Sequence, residues 1–393
     1  MMLESARRLT APSARSEVPP FMVMDVVAAA ARIEAAGGRV THLEVGQPAA
    51  GAPAPAIAAA RAALGRGPLG YTETLGIPSL RARIARFYAE TYALPIAPER
   101  VVVTTGSSGG FILAFLAMFD PGDRVAIASP GYPPYRHILH LLGCEPVLID
   151  TGAATRFALT GDLLRAEHAR KALAGVLVAS PANPTGTMMT PDALTDLIGV
   201  AEGEGVRVIS DEIYHGLDYA VPAETALRVS DSVVVINSFS KYFCMTGWRI
   251  GWMVAPEPLV RPLERLQQNL AISVPTLSQI AAEAAFEGRD ELEAIKRGYE
   301  ENRRILIEGL LKAGLDRFLP ADGAFYLYAD ISRFSNDSFD FAQRLLQEAH
   351  VAATPGVDFD PVNGNKFIRF CYAGSAADMR EAVERIGGWL KPR

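Results

Sequence analysis

Lysine is scarce in this chain. Six of its 393 residues are lysines although Lys and Arg together number 38, so arginine carries most of the positive charge. No basic block stands out, and a net charge of -6 gives nucleic-acid binding little support. Cysteine is scarce too. Cys144, Cys244 and Cys371 are odd in number and far apart, which offers neither a disulfide framework nor a metal pattern and suits a reducing compartment. Long apolar runs are missing, and the longest, near Phe111–Phe119, is far too short to cross a bilayer. The N-terminal stretch is polar and arginine-containing, without the apolar core of a secretory signal. These absences lead to the expectation of a cytoplasmic protein with neither membrane nor nucleic acid as partner. What is present fits a globular enzyme-sized chain: 49% hydrophobic and 21% charged residues, with length for two or three domains.

The middle of the chain has one texture. Short β-branched runs end in polar or glycine-rich turns and alternate with helical stretches. Val101–Thr105 leads to Gly106-Ser-Ser-Gly-Gly, Arg124–Ala128 to Ser-Pro-Gly-Tyr132, and Gly175–Ala179 to Ser-Pro-Ala-Asn-Pro-Thr-Gly186. Val206–Ser210 leads to Asp211-Glu-Ile-Tyr214. Near-continuous apolar strands between helices predict an α/β fold whose large domain has a mainly parallel sheet flanked by helices, with ligands beyond the strands' carboxyl ends. Beyond Pro256 the pattern turns helical, with strands expected at 323–331 and 366–372 and helices near 338–349 and 376–390. We therefore expect a large domain over 46–286, a smaller α+β domain from 17–45 and 287–393, and an N-terminal arm over 1–16. Asp25 is expected to cap a helix through Val26–Ala36, and Val40–Gly46 to form a strand.

One stretch organises the chemistry. Val233-Val-Val-Ile-Asn-Ser-Phe-Ser-Lys-Tyr-Phe-Cys-Met-Thr-Gly-Trp-Arg-Ile-Gly251 begins as an apolar strand, then breaks into Ser238, Ser240 and Lys241 before delivering Arg249. A lysine just past a buried strand has its pKa lowered and its amine freed to attack carbonyls. Ser238 and Arg249 are placed to hold a phosphate. A lysine beside a phosphate site is what a pyridoxal phosphate enzyme requires.

Other strand ends carry further candidates, each with a plainer alternative. Ser107 and Ser108 open a helix whose free N–H groups suit a phosphate, although Gly-Ser turns before helices are common. Asn183 stands between two prolines, either in a rigid turn or as an amide aimed at a ligand. Asp211 ends a buried strand and needs a partner: a protonated ring nitrogen, a helix end, or Arg249. Glu212, its neighbour, points to the other sheet face and is set aside. Tyr132 and Tyr214 are either ring contacts or packed aromatics. Arg369, inside an apolar strand, is either a clamp for a carboxylate or an interdomain salt bridge.

Together, Ser-Pro-Ala-Asn-Pro-Thr-Gly (180–186), Ser-Asp-Glu-Ile-Tyr (210–214) and Ser-Phe-Ser-Lys…Gly-Trp-Arg-Ile-Gly (238–251) make the chain resemble the class I and II aminotransferases, pyridoxal phosphate enzymes of fold type I. The resemblance runs from Leu43-Glu-Val-Gly46-Gln-Pro to the C-terminal helix. It implies that Lys241 forms the internal aldimine and shuttles the proton, and that Asp211 pairs with the pyridine nitrogen. Asn183 and Tyr214 would contact the ring's phenolate oxygen. Ser107, Ser108, Ser238 and Arg249 would hold the phosphate, and Tyr132 would stack on the ring. Arg369, with Asn183 and the backbone of Gly46, would bind the substrate's α-carboxylate. Tyr71 would reach the neighbouring subunit's phosphate, implying a homodimer with shared active sites. The implied reaction moves an amino group between an L-amino acid and a 2-oxo acid by ping-pong chemistry. A carbon–sulfur β-lyase on the same scaffold is the alternative. A cofactor-sensing transcription regulator is disfavoured by the short N-terminal arm and acidic charge. The loop 107–109 has no lysine, no second arginine is evident and Ala49 follows Gln47-Pro48, all of which weaken strict aspartate specificity.

Overall fold

A computed structural model describes residues 9–391. Residues 1–8 of the expected arm lie outside the described residues. A short strand, β1 (Thr41–His42), precedes seven strands that build the main sheet: β2 (Val101–Thr104), β3 (Arg124–Ser129), β4 (Glu145–Asp150), β5 (Gly175–Ala179), β6 (Arg207–Asp211), β7 (Val234–Ser238) and β8 (Gly251–Val254). Their order is β2-β8-β7-β6-β5-β3-β4. Only β8 runs antiparallel to its neighbours, β2 and β7. The sheet is therefore mainly parallel, as the apolar runs imply.

The alternation of side chains assigns the two faces. Val101, Val103, Val176, Val178, Val208, Val235 and Trp252 pack into one cluster. Val102, Leu177, Ile209, Val234, Ile236 and Met253 pack into another with the Gly106–Met118 helix. Helices cover both faces, which is why the strands are apolar throughout. The register aligns Thr104 with Gly251 and Gly251 with Ser238, and likewise Ile236 with Asp211 and Asp211 with Ala179. The chain thus leaves β2, β5, β6 and β7 along one sheet edge, where the polar residues stand.

A second core gathers around β9 (Tyr326–Asp330), β11 (Thr354–Pro355) and β12 (Phe367–Cys371), in the antiparallel order β11-β12-β9. Against them pack the helices Arg289–Lys312, Ser338–Ala349 and Ala376–Leu390, while β10 (Val351–Ala352) pairs with β1. The expected strand at 323–331 begins only at Tyr326.

Two expectations fail locally. The first helix runs Met22–Ala35, so Asp25 lies inside its first turn. Its leading N–H groups, Met22 and Val23, are capped instead by the Asp358 carboxylate, at 3.3 Å each, a partner no local pattern announces. The strand expected over Val40–Gly46 is confined to Thr41–His42, paired with the two-residue β10; just beyond, the Leu43 carbonyl accepts from Cys371 of β12 instead. Among the described residues, no helix is long and apolar enough to cross a membrane.

Candidate active site

Past the carboxyl ends of the main sheet lies a cavity of about 790 Å³, part of it open to solvent. Of the residues singled out in sequence, it is lined by Gly46, Ser107, Ser108, Tyr132, Asn183, Asp211, Tyr214, Lys241, Arg249 and Arg369. These come from well-separated loops and both cores, so only the tertiary fold brings them together.

Lys241 stands in the turn after β7, and its Nζ donates to the carbonyl of Gly46 at 2.7 Å. Burial pushes its pKa down from 10.5 to about 8, with the charges of Arg369 and Arg249 acting in the same direction and Cys371 and Asp211 opposing. Its amine is therefore partly neutral near physiological pH. Arg249 adopts a left-handed backbone, φ 50°, as the chain turns into β8. This carries its guanidinium against Gly106 at the start of the Gly106–Met118 helix, where a Cβ would come within 2.3 Å of Nη2. Gly106 itself has φ +67°, so glycine is required there on both grounds. No side chain caps that helix at Thr105, leaving the N–H groups of its first turn and their positive end facing the cavity with Ser107 and Ser108.

Asp211 is fully buried and on the same sheet face as Ile209. Tyr135 donates to its Oδ2, and the backbone of Ile213 donates to Oδ1 at 3.0 Å. Burial pushes its pKa up to about 6 although both hydrogen bonds and Lys241 pull it down. It does not pair with Arg249, the plainer alternative. Glu212 faces the other way, as strand alternation dictates, and accepts from Ser210, Thr225 and the backbone of Ala226.

Arg369 is only 2% exposed, and among the described residues no carboxylate pairs with it. Its Nη1 donates to Asn183 Oδ1 at 2.9 Å, and its Nη2 to Thr354 Oγ1 at 3.1 Å and to the carbonyl of Glu44. Its Nε is buried without a hydrogen-bond partner. The rings of Tyr326 and Phe359 lie 4.5 and 4.7 Å from its guanidinium carbon. The interdomain salt bridge does not form. A buried cation held only by neutral acceptors leaves room for an anion. Arg249 likewise has no carboxylate partner among the described residues; its Nη1 donates to the carbonyl of Thr246.

Two expected residues stand off the cavity wall. Ser238 is buried and hydrogen-bonded to Ser240 Oγ and the Ile250 carbonyl, and Ser240 takes the lining position instead. Tyr71 is 82% exposed in the loop 65–76 and does not line the cavity. Sequence reasoning missed Tyr135, Tyr326, Phe111, Val45, Ile213 and the N-terminal trio Phe21, Val23 and Met24, which also line the cavity. Phe21 meets Tyr132 edge-on at 5.9 Å. The spacing Tyr132-Pro-Pro-Tyr135, one helical turn, was the available signal for Tyr135.

The arrangement sets one depressed amine, two arginines without carboxylate partners and one buried acid around a single cavity. It suits a ligand bearing two separate anionic groups, a carbonyl for the amine and a basic group for the acid.

Comparison with known proteins gives a consistent picture. The model of a family described as "Aminotransferase class I and II" matches residues 39–386. Valine–pyruvate aminotransferase of Mycobacterium tuberculosis is 50% identical over 380 residues, 96% of this chain and 97% of that protein. Aspartate aminotransferase of Thermotoga maritima is 32% identical over 381 residues, 96% of this chain and 98% of that protein. Among solved structures, an aminotransferase from Mycobacterium tuberculosis superposes with a TM-score of 0.94 at 50% identity, covering 96% of this chain and 98% of that one. Aspartate aminotransferase from Thermus thermophilus with maleate gives 0.90 at 31% identity, covering 96% and 99%.

Proposed function

We propose a substrate, a cofactor and a division of labour for this chain, which belongs to the class I and II aminotransferase family and is an aminotransferase. The cofactor is pyridoxal phosphate. The residues fit it: a glycine-floored phosphate cup at a helix N-terminus beside Arg249, a buried acid at Asp211 and a depressed lysine at Lys241. When bound, it supplies an aldehyde that links to amines and an electron-poor ring that accepts the electron pair left on the substrate's Cα.

The chain's own residues do the rest. Ser107, Ser108, Ser240, Arg249 and the helix N–H groups hold the phosphate, with Ser238 orienting Ser240 from behind. Asp211, oriented by Tyr135, holds the ring nitrogen's proton. Tyr214 and Asn183, on the cavity wall, would face the phenolic oxygen, and Tyr132 would pack on the ring. Arg369 and Asn183 clamp the substrate's α-carboxylate bidentately, with the backbone of Gly46 beside them. Lys241 Nζ would take the Cα proton and deliver it to the carbon beyond the amino nitrogen, which suits an amine with a pKa of about 8. The amino group would stay behind as the first substrate leaves as its 2-oxo acid and would pass to a second 2-oxo acid, a ping-pong cycle.

The single observation that carries this reading is the pair of arginines without carboxylate partners flanking Lys241 in one cavity. The donor is a neutral aliphatic amino acid and the acceptor a small 2-oxo acid. Phe21, Val23, Met24 and Val45 give the cavity an apolar wall, and among the described residues no cation beyond Lys241, Arg249 and Arg369 lines it to meet a second carboxylate. The 50% identical relative is named for valine and pyruvate. The domains divide as 46–286 against 17–45 with 287–393, and two copies share their sites through Tyr71. The loop with exposed Leu69 and Tyr71 is tied by Thr276 Oγ1, donating to Gly70, to the segment with exposed Leu270 and Ile272, which supports an apolar interface there. Three free, buried cysteines support a cytoplasmic setting. The test is a panel of amino donors with pyruvate as acceptor: kcat/KM highest for valine and similar aliphatics is expected, and preference for aspartate or glutamate would refute the substrate.

A further inference from the structure

Tyr326 opens β9, in the second core, and reaches across to Tyr214, which follows β6 in the first. Their hydroxyl oxygens are 2.8 Å apart and the rings are nearly perpendicular, at 83°. Both side chains are buried, at 1% and 5% exposure. Among the described residues, each hydroxyl has the other as its hydrogen-bond partner. The face of the Tyr326 ring meets the Arg369 guanidinium at 4.5 Å. Its hydroxyl also presses on Gly46, where a Cβ would fall 1.7 Å from it, so glycine is what admits this tyrosine. One side chain therefore touches Tyr214, the substrate-facing arginine and the backbone that accepts from Lys241.

We infer that Tyr326 is a positioning residue with two separable roles: its hydroxyl drives the Tyr214 proton toward the cofactor, and its ring holds Arg369 in place. This rests on the cofactor reading above. A hydroxyl pair has two protons and a single shared contact, so one oxygen donates and the other accepts. A phenolic oxygen bearing negative charge next to Tyr214 fixes the direction. Tyr214 spends its proton on that oxygen and must then accept from Tyr326. In a buried chain each donor strengthens the next. Negative charge on the phenolic oxygen would be drawn off, and the Lys241 nitrogen facing it would hold its own proton less tightly.

The ring role follows from the neutral surroundings of Arg369. With no carboxylate partner among the described residues, its orientation depends on Asn183, Thr354, the Glu44 carbonyl and the two aromatic faces. An aromatic face fixes a guanidinium plane without neutralising it, which leaves the charge for the substrate.

The experiment uses cofactor-loaded protein and follows the visible band through a pH titration. Tyr326→Phe keeps the ring and removes the hydroxyl. It is expected to raise the midpoint of the titration by about half to one pH unit, the worth of one hydrogen bond, with KM for the amino donor changing less than when the ring is removed. In a Tyr214→Phe background the same substitution is expected to add nothing, since its effect passes through Tyr214. Tyr326→Leu removes the ring as well and is expected to raise KM roughly 2- to 30-fold. A midpoint that does not move in Tyr326→Phe, or that moves equally without the Tyr214 hydroxyl, overturns the hydroxyl role. An unchanged KM in Tyr326→Leu overturns the ring role. Absence of any visible band in the unmodified protein overturns the cofactor reading, and this inference with it.

Discussion

Lys241→Met in the cofactor-free protein should stabilise the fold at neutral pH, and the gain should vanish as the pH rises. Methionine keeps an unbranched chain of similar length and removes the charge. The ordinary lysine pKa of 10.5 falls to about 8 at Lys241. At about 1.4 kcal/mol per pH unit, that interval makes the buried ammonium cost about 3 kcal/mol. The folded-state pKa is the lower one, so between about 8 and 10.5 the unfolded chain binds more protons and stability rises with pH. Below about 8 the lysine is charged in both states and the cost is fully present. Urea unfolding of both cofactor-free proteins, at matched concentration from pH 7 to 10.5, measures the gap. The Lys241→Met variant should lead by about 3 kcal/mol at pH 7, and the lead should close across the window. Asp211 titrates near 6, below the window, and does not mimic the effect. A gap that is flat with pH, or that widens above pH 8, would refute the burial of a depressed amine.

Further perturbations probe the other walls. Gly106→Ala puts a methyl against Arg249 Nη2 in a backbone with φ +67°; cofactor affinity measured by reconstitution should fall by roughly tenfold or more, with the fold retained. Asp211→Asn keeps the shape and removes the charge, so kcat should drop about 10²- to 10³-fold, read in single-turnover assays, with KM less affected. Asp358→Ala uncaps the helix that brings Phe21, Val23 and Met24 to the cavity; stability should fall by about 1 kcal/mol in urea unfolding, and KM for the aliphatic donor should rise.

Much of this site was legible because its residues sit at strand ends, where an apolar run stops on a polar side chain. Asp211 and Lys241 each follow such a run, and a buried strand end makes a charged group conspicuous. The mainly parallel sheet was legible for the same reason. The edge strand β4 was not, since Glu145-Pro-Val-Leu-Ile-Asp150 carries a proline that only an edge position tolerates. Tyr326 was hidden within Phe325-Tyr-Leu-Tyr328, where it looks like one more packed aromatic. Its hydroxyl partner is 112 residues away, a distance no local pattern spans. The N-terminal wall was hidden because its cap, Asp358, lies more than 300 residues downstream of Met22. The choice of Ser240 over Ser238 as wall residue depends on how the chain turns after β7, which composition does not report.

The central claim is that Lys241, alone among six lysines, carries the cofactor. Borohydride reduction of pyridoxal phosphate-loaded protein, followed by digestion and mass spectrometry, locates the attachment directly. A pyridoxyl label confined to the peptide containing Lys241 is the predicted result. A label on Lys171, Lys296, Lys312, Lys366 or Lys391 instead, or no label on any lysine, would contradict it.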